Sequence, residues 1–330
     1  MFFLKVMSIK KFLAISLWLK AIIFTGSFYQ GICSTLVVTF SDIHENEQNY
    51  PYMIHEIIEA SKPYSHVIVL GNGDYFTSFK SLPSKKVKGI FNKKISYKNS
   101  NASLHAGKQF QDLFLVKLNE RLKTLGKKVT FLLNLGNHEF KYNGKLLTFS
   151  KNLKKLFPRN AFLLNTNLSF VKSGIPEAVA AEKKSYFVHE NSIFIGYCTK
   201  KCFFARKDSS GLVWFEKDRA GESMKNSAKK IISAIESAML EIQKYKKLNI
   251  VIASHAGRKE TQLLMKELQK EIETKYPKLN TAKFFVVTGH EHHEKKGIFH
   301  HNGYEELAPL PYGEGVLKLE LSPNPRAIIN

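Results

Sequence analysis

The sequence predicts an α/β domain built around largely parallel central strands. Short runs of branched and aromatic apolar residues alternate with longer stretches of helical spacing, the order that strand–helix–strand units require. Several runs, such as TLVVTF and HVIVL, are apolar almost throughout, as strands covered on both faces are. Glycines and titratable residues fall directly after these runs, at the carboxyl ends where parallel strands gather ligands.

Taken in order, Thr35 to Phe40 forms the first strand. A helix over Met53 to Lys62 follows, with Ile54, Ile57 and Ile58 on one face. His66 to Leu70 is a second strand, and Lys80 to Lys98 a basic exposed loop with Pro83 and Gly89. A helix from about Leu104 to Leu125 leads to the strand Val129 to Leu135. SYFVHE and SIFIGY pair as a hairpin joined near Asn191. A long amphipathic helix runs from Ala220 to Lys246, before the strand Leu248 to Ser254. A helix over Lys259 to Glu273 precedes the strand Lys283 to Gly289, and Gly315 to Ser322 is the last strand.

The chain has 330 residues, enough for one large domain or two small ones; the motif layout favours a single domain over 35–330. An apolar content of 44%, with 12% aromatics, is ample for a core and excludes global disorder. The net charge of +22, from 50 Lys and Arg against 28 Asp and Glu, favours anionic partners. The lysines are spread out, which gives no strong nucleic-acid signature and suits a solvated cationic surface equally well. Residues 1–34 read as an export signal: Lys5, Lys10 and Lys11 precede an apolar segment, and small residues gather around Gly31, Cys33 and Ser34. Lys20 interrupts the apolar stretch, so export to a periplasm or the exterior is expected over an anchor through residues 12–29. Three cysteines make no disulfide framework; Cys198 and Cys202 can pair across CTKKC or stand as two ordinary thiols.

Five strands run straight into potential metal ligands. The first gives SDIHEN, with Asp42 and His44; the second GNGDYF, with Asp74. The third gives GNHEF, with Asn137 and His138; the fourth SHAG, with His255. The fifth gives GHEHHE, with His290 and His292. Singly, each has an ordinary explanation: Asp74 as a helix cap, His255 as a core histidine, GNHE as a turn. Five in this order, all at strand ends, point to one site. Imidazoles, carboxylates and one amide form a mixed nitrogen and oxygen set that suits Mn, Fe or Zn. No cysteine joins them, which argues against a structural zinc cage. Even without His138, seven candidates exceed what one ion needs and suffice for two divalent ions if a carboxylate is shared.

The ordered motifs D-x-H, G-D, G-N-H-E, H and G-H-x-H resemble the calcineurin-like metallophosphoesterase superfamily. LGNHEF, FPRNAFLLNTNLS, IVIASHAG and VVTGHEHHE are similar to the catalytic domain of the 5′-nucleotidases in particular. The resemblance extends from Thr35 to about Ser322 and implies a four-layer αββα sandwich, two mixed β-sheets flanked by helices. It also implies one metal on Asp42, His44 and His292 and a second on Asn137, His255 and His290, with Asp74 bridging. His138 would face the substrate phosphate, stabilising its charge or protonating the leaving alcohol, while a metal-bound hydroxide attacks phosphorus. Glu139 would lie around the ligands without touching the metals. His293 and Glu291, at alternating positions, should point away from the ligand pair and either support it from outside or lie at the surface.

Two departures matter. The nucleotidase branch places an aspartate three residues after the catalytic histidine, where this chain has Lys141; either Glu139 takes its place or the histidine has no carboxylate partner. The nucleotidases also carry a C-terminal nucleotide-binding domain, for which this sequence shows no counterpart before Asn330. The expectation is a metal-dependent phosphoric monoester hydrolase acting on an anionic phosphoester, with 5′-nucleotides as plausible substrates. The alternatives are a phosphoprotein phosphatase of the same fold and a weakly active secreted interaction protein.

Overall fold

The computed structural model describes residues 35–43, 47–75, 107–136, 139, 143–164, 186–198, 206–207, 213–214, 220–242, 247–289, 297–311, 315–321 and 325–328. Fourteen strands are seen among them. The first six are β1 (Thr35–Phe40), β2 (His66–Asn72), β3 (Lys128–Asn134), β4 (Ala161–Leu163), β5 (Tyr186–His189) and β6 (Ser192–Cys198). Then come β7 (Arg206–Lys207), β8 (Val213–Trp214), β9 (Asn249–His255), β10 (Lys283–Thr288), β11 (Gly297–His301), β12 (Tyr304–Ala308), β13 (Leu317–Leu321) and β14 (Arg326–Ile328). The helices are α1 (Tyr50–Ser61), α2 (Lys117–Thr124), α3 (Asn143–Leu156), α4 (Ala220–Met239) and α5 (Arg258–Lys275).

Two six-stranded sheets carry the fold, in the orders β14-β13-β1-β2-β3-β4 and β11-β12-β10-β9-β6-β5. Both are mixed. In the first, β1 to β4 are parallel and β13 and β14 add antiparallel edges. In the second, β12, β10, β9 and β6 are parallel, closed by β11 and β5.

The period-2 alternation of the strands explains the layers. Leu36, Val38 and Phe40 of β1, with Val67 and Val69 of β2, pack under helices on the outer face of the first sheet. Val37, Ile68, Leu70 and Leu132 point the other way and meet Phe194, Val251, Phe285 and Val287 of the second sheet. On the far face, Ile250, Ile252 and Val286 lie under Ile231 and Ile235 of α4 and Leu264 and Leu268 of α5. Helix, sheet, sheet and helix thus each bury a face, and this is why the central strands are apolar on both sides.

Three differences from the sequence reading have local causes. The helix before β3 opens with a π-helical stretch, Phe110–Val116, before α2. This wide turn buries Phe110, Gln111, Phe114 and Leu115 together, and Phe110 stacks on Tyr75 with ring centroids 4.7 Å apart. Helix α4 stops at Met239 rather than Lys246, because a tight turn buries Ile242 and leaves Leu240 outside. The chain does not end its sheet at β13: β14 pairs beyond it. Neither the β11–β12 hairpin nor α3 was legible, since both lack strong periodicity. No helix among the described residues is long and apolar enough to cross a membrane; residues 12–29 lie outside them.

At the start of β2 and the end of β5, His66 and His189 pack edge to face with ring centroids 4.5 Å apart. His66 Nε2 is 3.0 Å from Thr130 Oγ1, and His189 Nε2 is 2.8 Å from Thr35 Oγ1, so the pair joins the two sheets. Burial, then His189 and Lys128, pushes the His66 pKa down to about 4. Burial also lowers His189, with Glu190 opposing and Lys128 adding to the drop. An unfolded histidine protonates first, near pH 6.5, so the stability carried by the neutral ring is full above that pH. It is lost as pH falls from 6.5 towards 4. The melting temperature is therefore expected to drop across this window, and His66→Gln to flatten the slope; a slope unchanged by that substitution would exclude the role.

Candidate metal centre

The site lies where the carboxyl ends of β1, β2 and β3 in one sheet meet those of β9 and β10 in the other. Asp42 follows β1, Asp74 follows β2 and His255 closes β9. Ligand atoms of these three residues all lie within 4.8 Å of one another. All are buried, with exposures of 2%, 1% and 0%. Among the described residues only three non-glycines have positive φ, and two are Asp42 (52°) and Asp74 (56°). Aspartate tolerates that conformation better than most residues, but it still carries strain, and strain of this kind gathers at functional sites.

Hydrogen bonds join the loops. Asp42 N donates to Gly73 O at 3.1 Å. Ser41 Oγ donates to Asp42 Oδ2 and to Asn72 O, the latter at 3.0 Å. His255 Nδ1 lies 2.6 Å from Asn72 O, which places a proton on Nδ1 and turns Nε2 towards Asp74. Nε2 is 3.3 Å from Asp74 Oδ2. Burial pulls the His255 imidazolium down, but Asp74 and Asp42 outweigh it and lift its pKa to about 10. The field of the two carboxylates demands positive charge at this point. With an imidazole and two carboxylates as donors, the residues fit a divalent metal ion.

Glu139, wholly buried, holds the second and third loops together. Its Oε2 accepts from Asp74 N at 2.9 Å and Gly136 N at 2.7 Å, and Oε1 accepts from Tyr75 N at 2.7 Å. Both oxygens accept from backbone amides, and the carboxylate thereby sets the Asp74 loop. His138, the histidine it would orient in place of the aspartate missing at Lys141, lies outside the described residues.

Asn137, His138, Lys141, His44, His290, Glu291, His292 and His293 lie outside the described residues. The glycines preceding two of these segments do not. A Cβ on Gly136 would strike the Asp74 carboxylate and come within 2.8 Å of His255 Nε2. A Cβ on Gly289 would strike Ser41 Oγ and lie 2.9 Å from Asp42 Oδ2. The backbone immediately before Asn137 and before His290 is therefore pressed against the cluster, and only glycine permits the approach.

The sequence reading missed Asn72 and Asn134. Asn72 Nδ2 donates to Ser254 O at 3.2 Å and Val287 O at 3.1 Å, crossing from one sheet to the other. Asn134 Nδ2 shares its protons among Asn72 Oδ1, Tyr197 O and Ala253 O at 2.9, 3.0 and 2.9 Å. The available signal was an amide as the last residue of each of two apolar strands.

The calcineurin-like phosphoesterase family matches residues 35–294, a span that takes in every strand-end motif. The chain belongs to this family. Among solved structures, this calcineurin-like phosphoesterase is similar to the sulfate thiohydrolase SoxB of Thermus thermophilus, with 13% identity and a TM-score of 0.47; the match covers 89% of this chain and 56% of SoxB. It is also similar to GAP50, the anchor in the inner membrane complex of Plasmodium, with 9% identity, a TM-score of 0.41 and coverage of 90% and 84%. A further Thermus thermophilus protein, TT1561, matches at 9% identity and a TM-score of 0.37, with coverage of 88% and 97%. No curated protein matches the chain in sequence.

Proposed function

We propose that this phosphoesterase hydrolyses phosphomonoesters at a two-cation centre. Asp42, His44 and His292 would hold one divalent ion, Asn137, His255 and His290 the other, with Asp74 shared. The observation that carries this reading is the convergence of Asp42, Asp74 and His255, from three loops and two sheets, to within 4.8 Å. Divalent ions held there supply charge for the phosphate oxygens and lower the pKa of water. The chain's own part is to set the charge and the geometry. Asp42 and Asp74 provide the negative field, Asn72 O orients the His255 ring, and Glu139 holds the Asp74 loop. His138 follows the same β3 loop and is assigned to the substrate phosphate or its leaving oxygen, a role that general acids fill. Wording shared with the 5′-nucleotidases supports nucleotides as substrates, and the leader-like residues 1–34 support export.

The test is hydrolysis of AMP, a phosphopeptide and an aryl phosphate with Mn²⁺ added. AMP and the aryl phosphate should turn over, a chelator should stop both, and His138→Ala should lower kcat by about 10²–10⁴-fold. Preference for the phosphopeptide would move the substrate class to phosphoproteins. No turnover with Mn²⁺, Fe²⁺ or Zn²⁺ would overturn the reading.

A further inference from the structure

A buried carboxylate away from the cation ligands ties together two of the strand ends that form the site. Glu306, on β12, has no exposed surface. Its Oε1 accepts from Arg258 Nε at 2.9 Å and from Thr288 Oγ1 at 3.1 Å. Its Oε2 lies 2.8 Å from His301 Nε2. His301 stacks on Tyr304 at 4.5 Å between centroids, and the Arg258 guanidinium sits 3.8 Å above the centre of the Phe299 ring. All three groups meeting the carboxylate are thus fixed on the β11–β12 hairpin or against it.

The position of these partners gives the cluster its meaning. Arg258 is the first residue of α5, three after His255. Thr288 is the last residue of β10, directly before Gly289, whose backbone presses on Ser41 and Asp42. One oxygen of Glu306 therefore holds both the turn leaving β9 and the end of β10. A buried carboxylate with three donors is costly to disturb, because a lost partner leaves polar groups without water or protein to satisfy them. A neutral, apolar contact would fill the same space without fixing both backbones at one point. We infer that Glu306 is a positioning residue of the metal centre: through Arg258 and Thr288 it sets the approach of the His255 loop and of Gly289. The inference rests on the metal reading above.

The experiment is titration of the full-length protein with Co²⁺, read by visible absorption and by thermal shift. Four proteins are compared: wild type, Glu306→Gln, Thr288→Val and Leu268→Ala. Glu306→Gln keeps the shape of the side chain but removes its charge and two acceptor sites. It should weaken Co²⁺ binding by about 10–100-fold, as loss of an outer partner does, and alter the absorption envelope. Thr288→Val removes one of the three bonds and should weaken binding severalfold; it decides the question if Glu306→Gln does not fold. Leu268→Ala, in the α5 core, lowers stability without touching the cluster and should bind Co²⁺ as wild type does. Affinities within twofold of wild type in both cluster variants, or an equal loss in Leu268→Ala, would overturn the positioning role while leaving the metal centre standing. A wild-type protein that takes up no cobalt would overturn both.

Discussion

Asp74→Asn is expected to abolish cation binding while leaving the fold intact. Asparagine is the informative choice because residue 74 has a φ of 56°, which asparagine accepts and alanine does not. The substitution keeps the shape and the two bonds that the Asp74 and Tyr75 amides make to Glu139. It removes the charge from the middle of a cluster in which Asp42 and His255 also lie within 4.8 Å. Binding should weaken by more than about a hundredfold, beyond the ten- to hundredfold typical of residues that only support ligands. At a Mn²⁺ concentration of about 100 times the wild-type Kd, the ion stabilises wild type by about 2.7 kcal/mol and a hundredfold weaker variant by only about 0.4 kcal/mol. Thermal unfolding with and without Mn²⁺ reads the difference directly. An undiminished shift in the variant would remove Asp74 from the ligand set.

Asn72→Ala should be the most damaging substitution for stability among those near the site. The side chain makes three bonds in a region closed to water: two to carbonyls of β9 and β10 and one from Asn134. Alanine leaves those partners buried with fewer bonds than before, and each such group costs about 1–3 kcal/mol. A loss of about 3 kcal/mol or more is expected in urea unfolding. Asn72→Asp should be at least as harmful, since a carboxylate oxygen would then face Ser254 O and Val287 O, with charge added where water cannot reach. A loss below about 1 kcal/mol in Asn72→Ala would show that the sheets are held by apolar packing alone.

The sandwich was legible where strands are buried on both faces. TLVVTF, HVIVL, LNIVIAS and KFFVVTG announce themselves because each must satisfy a helix layer on one side and the opposite sheet on the other. The convergence of Asp42, Asp74 and His255 was legible for a related reason: parallel strands deliver their carboxyl ends to one edge. What the sequence hid are the contacts that depend on tertiary placement. Glu139 was read as a neighbour of the histidine in its own motif, yet it also binds two amides more than sixty residues earlier. In sequence Glu306 is one half of an ordinary Glu-Glu pair, and only the approach of Arg258 of α5 and Thr288 of β10 makes it a buried clamp. Asn72 and Asn134 gain their meaning when two sheets meet. The carboxyl end of α4 and the π-helical stretch before α2 escaped because they are settled by which side chain the core accepts, not by period.

Anomalous diffraction at the manganese edge, from crystals grown with Mn²⁺, tests the central claim most directly. The account predicts scattering centres within about 2.0–2.5 Å of the side-chain ligand atoms of Asp42, Asp74 and His255, the distances that oxygen and imidazole donors adopt. Manganese bound elsewhere, with these three side chains closed on one another and free of metal, would contradict it.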